Sequence, residues 1–123
     1  MMRTILACLM LALPLSLHAN EPVQPEKFFL VQFTVGPAWV PDKAPHEQAH
    51  FAEHSANLKR LRTEGKLLLG GRYADKGIII VRGSSESEVR AELDQDPSVA
   101  KGTFIAVVYP FAPFYDGCVE RPK

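Results

Sequence analysis

The chain has 123 residues, with 14 basic and 14 acidic side chains and a formal net charge of zero. This length is typical of a single domain. Because no segment carries a stripe of Lys and Arg, the charge pattern argues against a nucleic-acid-binding protein. Beyond the N-terminal segment no apolar run approaches the length that crosses a bilayer, so we expect no membrane association of the mature protein.

The N-terminal segment has the pattern of a cleavable secretory signal peptide. Arg3 provides a positive n-region, residues 5–17 form an apolar run, and Ala19 precedes a polar stretch. We therefore assign residues 1–19 as a signal peptide and expect the mature protein to be periplasmic or secreted.

The mature chain retains one cysteine, Cys118, in a C-terminal tail assigned to residues 113–123. A lone cysteine cannot form an internal disulfide, so the core must stabilise the domain, and the role of Cys118 stays open. Residues 20–27 contain two prolines among polar residues and predict a linker. The folded domain is assigned to residues 28–112.

The first element of this domain is a predicted strand. Over residues 28–35, Phe29, Val31, Phe33 and Val35 share one face and are aromatic or β-branched, which is typical of a strand. Residues 36–45 contain Gly36 and three prolines and predict an irregular loop, in which Trp39 is the bulky anchor.

A single helix is predicted from Pro45 to Glu64. Proline suits a first helical turn, and Gly65 follows where a left-handed residue ends a helix. The apolar side of the helix recurs with helical spacing and includes one histidine: Phe51, His54, Leu58 and Leu61.

The second half of the domain predicts two strands, a helix and a final strand. The pattern Ser85 to Glu88 is a capping box that opens the helix, with Val89 and Leu93 inward, and Asp96-Pro97 ends it. The middle strand is apolar without alternation, which indicates burial on both faces. The predicted strands cover residues 66–73, 78–82 and 103–111.

The resulting order, βαββαβ, predicts an α+β ferredoxin-like fold: a four-stranded antiparallel sheet with two helices on one face. The other face of the sheet is then uncovered, although the first, third and fourth strands are apolar on both faces. An exposed apolar patch of that size is unusual for a monomer. We therefore expect a homodimer in which the two sheets pack face to face.

Several motifs occur in a characteristic order over residues 28–112. They are His54, Glu64-Gly65, Lys66-Leu67-Leu68-Leu69-Gly70-Gly71, Asp96-Pro97 and Pro110-Phe111. Together they resemble the YCII-related (YciI-like) domain family. The resemblance implies a dimeric α+β barrel, similar in shape to muconolactone isomerases, with a cleft between helix and sheet.

The same resemblance bears on chemistry. Most members of that family have no assigned activity, and those with one are similar to lyases or dehydrochlorinases that act on small ring compounds with a His/Asp dyad. The dyad corresponds here to His54 and Asp96. The chain departs from the family pattern at Ser55, where an aliphatic residue is frequent, and at Ser98, where an aromatic residue is frequent.

The residues themselves allow two interpretations of this pair. An inward histidine beside a cleft is suited to general acid–base catalysis, and Asp96 could hold its tautomer through the other ring nitrogen. Alternatively, His54 is a hydrogen-bonded core residue and Asp96 bonds to its own local turn before Pro97.

His46, His50 and His54 recur at every fourth residue of the predicted helix. His46 and His54 would then lie about 12 Å apart, too far to share one ion. An adjacent pair, His46/His50 or His50/His54, would need ligands from elsewhere in the chain. We favour a solvated polar face with one inward histidine and predict no metal site. The roles of His46 and His50 stay open.

Arg72 follows Gly70-Gly71, where a small backbone allows close approach, and its guanidinium could bind a carboxylate or phenolate. The alternative is an exposed arginine at the end of a strand.

Two function classes stay open. One is an enzyme that needs no cofactor: a lyase, isomerase or dehydrohalogenase for a small ring-shaped substrate, with His54 transferring a proton, Asp96 orienting it and Arg72 binding an anionic group. The other is a non-catalytic periplasmic domain that binds a small ligand.

Overall fold

A computed structural model describes residues 26–123 of the chain. The predicted signal peptide, residues 1–19, and almost all of the predicted linker, residues 20–27, lie outside the described residues. None of the helices within the described range has both the length and the hydropathy that crossing a membrane requires.

The described residues form four strands, three helices and one 3₁₀ turn. The strands are β1 (Lys27–Val35), β2 (Leu67–Tyr73), β3 (Lys76–Gly83) and β4 (Phe104–Phe111). The helices are α1 (Phe51–Thr63), α2 (Glu86–Asp94) and the single turn α3 (Pro97–Ala100), and the 3₁₀ turn spans Pro45–Glu47.

The four strands make one antiparallel sheet in the order β2-β3-β1-β4. The helices pack on one face, where alternate β1 residues meet apolar side chains of α1 and α2. The buried core on that face contains Phe29, Val31, Phe33, Leu61, Leu67, Ile79, Val81, Val89, Leu93 and Val108. The predicted α+β, ferredoxin-like fold is therefore confirmed, because four antiparallel strands and the helices packed on them follow the predicted order.

The predicted single helix from Pro45 to Glu64 is wrong in its N-terminal part. His50 has a left-handed backbone, with φ of 64°, and α1 begins only at the next residue. The buried side chain of Gln48 binds the backbone N–H and carbonyl of Val40 and the carbonyl of Lys43. These bonds tie the segment to the preceding loop, so the chain must turn before α1 starts.

The loop after β1 is held against the sheet by a close contact between its backbone and the backbone that precedes β4. The N–H of Gly36 donates to the carbonyl of Thr103, and that of Ala38 donates to Gly102, each at 2.9 Å. A Cβ atom on Gly36 would overlap the carbonyl oxygen of Gly102. Glycine is therefore required here, and the loop carries Trp39 onto Phe104, with 5.7 Å between ring centroids.

The start of α2 confirms half of the predicted capping box. Ser85 Oγ accepts from the N–H of Glu88 at 3.1 Å, as predicted. The Glu88 carboxylate, however, accepts from the N–H of Ser84 at 2.8 Å rather than from Ser85. Val89 and Leu93 are buried, as expected.

The face of the sheet opposite the helices is apolar. Ile80 on this face is 8 % exposed, so β3 is buried on both faces as predicted. Around it, apolar side chains remain exposed in the single chain: Leu69, Tyr73, Ile105, Tyr109 and Phe111. We call this group the open sheet face.

Candidate functional site

His54 lies on the inner side of α1, between aromatic rings of the sheet. It is 7 % exposed. Its ring centroid is 5.1 Å from that of Phe33, in an edge-to-face arrangement, and 5.0 Å from that of Phe104. Phe51, one helical turn earlier, is 6.4 Å away. The prediction that His54 faces the sheet is therefore confirmed.

Asp96 binds His54 and its own turn at the same time. Nδ1 of His54 lies 2.8 Å from Oδ2 of Asp96, and both side chains are buried. The other oxygen, Oδ1, accepts from the N–H of Ser98 at 3.0 Å and so caps α3. Oδ2 of Asp96 therefore contacts His54, while Oδ1 bonds to the local turn before and after Pro97.

Two further side chains complete the surroundings of Asp96. Ser98 Oγ donates to Oδ1 of Asp96 at 2.8 Å, and Asn57 Nδ2 lies 3.3 Å from Oδ2. Sequence reasoning missed both contacts, although Ser98 stands two residues after an N-cap aspartate, where the backbone turns back towards the cap. Ser98 is fully buried, with 0 % exposure.

These contacts determine the charge of Asp96. Burial by itself would raise the pKa of this carboxyl, but hydrogen bonds from His54 and Ser98 and the charge of His54 together hold the pKa below its ordinary value. Asp96 is therefore an anion at neutral pH. A carboxylate can only accept, so Nδ1 of His54 carries a proton in this contact, and Nε2 is the ring nitrogen that is left to exchange a proton.

A cleft of about 530 Å³ lies between α1 and the edge of the sheet formed by β2 and β3. His54 forms part of its wall. The lining is mostly aromatic and aliphatic, with contributions from Phe33, Trp39, Phe51, Leu58, Ile79 and Phe104. Ser55 also lines the cleft. Ser98 is the second position at which the chain departs from the family pattern; it lies behind His54 and does not line the cleft.

Arg72 lines the same cleft from β2, next to Gly70 and Gly71. It is exposed and makes no ion pair within residues 26–123. Asp75, the acidic side chain in the lining, is bound to Lys76 at 2.7 Å, and this hydrogen bond lowers the pKa of Asp75. The guanidinium of Arg72 is thus a cation that can meet an anionic group at the cleft edge.

A sequence model of the YCII-related domain family matches residues 34–112, a range that contains both members of the pair. The chain belongs to the YCII-related domain family. A search of curated proteins finds no relative that matches the chain.

The other two histidines of this YCII-related domain do not share a helix with His54. His46 lies in the 3₁₀ turn, and His50 precedes α1, with Nδ1 3.4 Å from Oε1 of Glu53. The predicted placement of all three histidines on one helix is therefore wrong, because α1 begins only after the left-handed turn at His50. Among residues 26–123, no group of three or more His, Cys, Asp or Glu side chains could hold a metal ion.

Proposed function

We propose that this YCII-related domain catalyses a proton transfer on a small ring-shaped substrate without a cofactor, as a lyase, isomerase or dehydrohalogenase. The observation that carries the proposal is the hydrogen bond of 2.8 Å between His54 Nδ1 and Asp96 Oδ2 at the wall of an aromatic cleft. An anion that holds one ring nitrogen leaves the other as a base, which is the arrangement that general-base catalysis requires.

In the proposed reaction, Nε2 of His54 removes a proton from a substrate carbon. The electron pair of that C–H bond forms a C=C bond, and a leaving group on the neighbouring carbon departs with its own bonding pair. In an isomerase, the imidazolium returns the proton to a different carbon instead. Asp96 stabilises the imidazolium in both cases, because its negative charge lies against Nδ1.

The cleft has the composition that such a substrate needs. Aromatic walls from Phe33, Trp39 and Phe104 suit a flat or cyclic apolar body. Arg72 at the edge would bind a carboxylate or phenolate and so turn the ring towards His54. The ligand class that fits is a small cyclic acid or phenol.

The alternative is a domain that binds a small ligand without transforming it. The exposed fraction of His54, 7 %, favours this alternative, since little of the ring is open to a substrate in the single chain. The cleft and Arg72 would then serve for binding only.

We also propose that the protein is exported and acts as a homodimer. The N-terminal pattern of Arg3, an apolar run and Ala19 supports export to the periplasm or beyond the cell. The open sheet face supports a symmetric dimer, because two copies packed through it would remove its exposed apolar side chains from water.

Exchange of substrate carbon protons in heavy water tests the proposed chemistry. Small cyclic carboxylates, phenols and chlorinated rings are incubated with the protein, and deuterium incorporation or product is followed by NMR. We expect exchange or turnover with the wild-type protein and at least a hundredfold loss in His54→Gln. His46→Gln, which changes an exposed histidine outside the cleft, should retain the full rate. Binding of a compound in the cleft, with no deuterium incorporation and no product for any of them, would instead support the alternative of a domain that binds a small ligand without transforming it.

A further inference from the structure

Ser98, His54 and Asp96 contain the side chains of a catalytic triad, but their geometry is a different one. In a Ser-His-Asp triad the serine and the aspartate contact opposite nitrogens of the imidazole. Here Ser98 Oγ lies 3.2 Å from Nδ1, the nitrogen that already donates to Asp96. Ser98 is also fully buried and absent from the cleft lining. It is therefore not placed to attack a substrate.

The contacts of Asp96 show what Ser98 does instead. Oδ1 accepts from the Ser98 hydroxyl at 2.8 Å and from the Ser98 N–H at 3.0 Å. Oδ2 accepts from His54 at 2.8 Å and faces the amide of Asn57 at 3.3 Å. Each oxygen has two donors, so rotation of the carboxylate would break bonds on both sides.

The orientation of the Asn57 amide is fixed from outside the site. Its Oδ1 accepts from Nη2 of Arg60 at 2.7 Å, which leaves Nδ2 as the atom that faces Asp96. Arg60 is held in turn by Glu64, at 2.9 Å, and by Glu92. A chain of hydrogen bonds thus joins exposed ion pairs to the buried carboxylate.

We propose that Ser98 and Asn57 are positioning residues that hold the Asp96 carboxylate against Nδ1 of His54 and so keep the lone pair of the neutral imidazole on Nε2. This role rests on the proposed function, in which Nε2 is the base. It differs from a purely structural role because it fixes which ring nitrogen carries the proton, a property that is measured without any substrate.

Long-range proton–nitrogen NMR spectra of the protein with isotope-labelled histidine test this role. Where the spectra show a neutral imidazole, His54 in the wild-type protein should have a protonated Nδ1 and an unprotonated Nε2. In Ser98→Ala and in Asn57→Leu, the ratio of the two tautomers should shift towards Nε2–H by about tenfold, the effect of losing one hydrogen bond to a charged group. Ser87→Ala, which changes an exposed serine on α2, is the matched control and should leave the ratio unchanged.

Two results would overturn the inference. One is a wild-type His54 that is protonated on Nε2. The other is a pair of variants with lowered unfolding midpoints but the wild-type tautomer ratio, which would assign both residues to packing alone. If Ser98→Ala does not fold, Asn57→Leu at the half-buried side of α1 still gives the answer. The tautomer ratio is measured without any substrate, so it does not depend on whether the protein shows activity in the exchange assay. Failure of this inference and failure of the proposed function are therefore distinguishable.

Discussion

His54 and Asp96 stand 42 positions apart in the sequence, and a hydrogen bond of 2.8 Å joins Nδ1 of the first to Oδ2 of the second. His54 belongs to α1 and Asp96 caps α3, so the contact forms only when both helices pack on the sheet. Asp96 is 1 % exposed. A buried carboxylate that accepts several hydrogen bonds contributes to folding, and in the proposed function it also orients the base; both contributions are measurable.

The first prediction concerns Asp96→Asn. The amide keeps the volume of the side chain but loses the charge that the donors bind, so we expect the free energy of unfolding to fall by about 1–3 kcal/mol. The proposed exchange rate should fall less than in His54→Gln, because the base remains while its tautomer is no longer fixed. Urea unfolding and the exchange assay measure the two effects. Asp94→Asn, at an exposed carboxylate on α2, is the control, and equal stability of the two variants would contradict the prediction.

The second prediction concerns pH. The folded protein holds the pKa of Asp96 below its ordinary value, so the unfolded chain binds the proton first as the pH falls. The stability that Asp96 contributes is therefore complete above a pH of about 4 and is lost as the pH falls through the lowered, folded-state pKa.

Urea unfolding at a series of pH values gives the readout. The difference in unfolding free energy between the wild-type protein and Asp96→Asn should shrink as the pH falls. Hydrogen bonds from Arg60 and Ser84 also lower the pKa of Glu92 and Glu88, respectively. Those carboxylates are present in both proteins, so their contributions cancel in the difference. A difference that is constant down to strong acid would exclude a lowered pKa for Asp96.

The order of strands and helices was predictable because each element carries its own signal. Strand β1 alternates with period two, and the apolar side of α1 repeats at helical spacing, so the inward direction of His54 followed from neighbours within a few residues. The start of α1 was not predictable in this way. It depends on the side chain of Gln48, which bonds to Val40 eight positions earlier.

The surroundings of Asp96 were only partly open to local reasoning. Ser98 stands two residues after the N-cap aspartate and so carries a local signal. Asn57 is a common polar residue with no pattern of its own. Asn57 meets Asp96 across 39 positions, through the packing of α1 against α3. The pair itself was predicted from a family resemblance rather than from spacing, while the contact with Asn57 became visible only in three dimensions.

The third prediction concerns the loop that carries Trp39 into the cleft. Gly36→Ala should lower the free energy of unfolding by about 2 kcal/mol or more, because the new methyl group overlaps the carbonyl oxygen of Gly102. Gly71→Ala is the matched control, since nothing lies within 4 Å of a Cβ at that strand position. Thermal or urea unfolding of the two variants gives the comparison. Equal stabilities would mean that the backbones of Gly36 and Gly102 are not in close contact.

The fourth prediction concerns export. If residues 1–19 are a signal peptide, protein recovered from its native host should begin at or near Asn20. Intact-mass measurement of the periplasmic or secreted fraction checks this. Replacing Leu9 and Leu11 with Arg should interrupt the apolar run and leave uncleaved protein inside the cell. A full-length N-terminus on wild-type protein in the cytoplasmic fraction would refute the assignment.

The fifth prediction concerns the open sheet face. Ile105 and Tyr109 are 46 % and 47 % exposed in the single chain, on a surface where most of the neighbouring side chains are apolar. We expect the protein to sediment as a dimer at micromolar concentration. Ile105→Lys should weaken the dimer at least a hundredfold, because a lysine there would bury a charge in an apolar contact without a partner.

Val40→Lys is the matched control for that variant. Val40 is 41 % exposed but lies in the loop after β1 and is not part of the open sheet face, so introducing the same charge there should leave a dimer. Cys118 is exposed in the tail, and Cys118→Ser should also leave a dimer, since sheet packing rather than a disulfide would hold the copies together. Sedimentation equilibrium under reducing conditions distinguishes these cases. A wild-type monomer, or equal association of Ile105→Lys and Val40→Lys, would mean that the open sheet face is not the contact between copies.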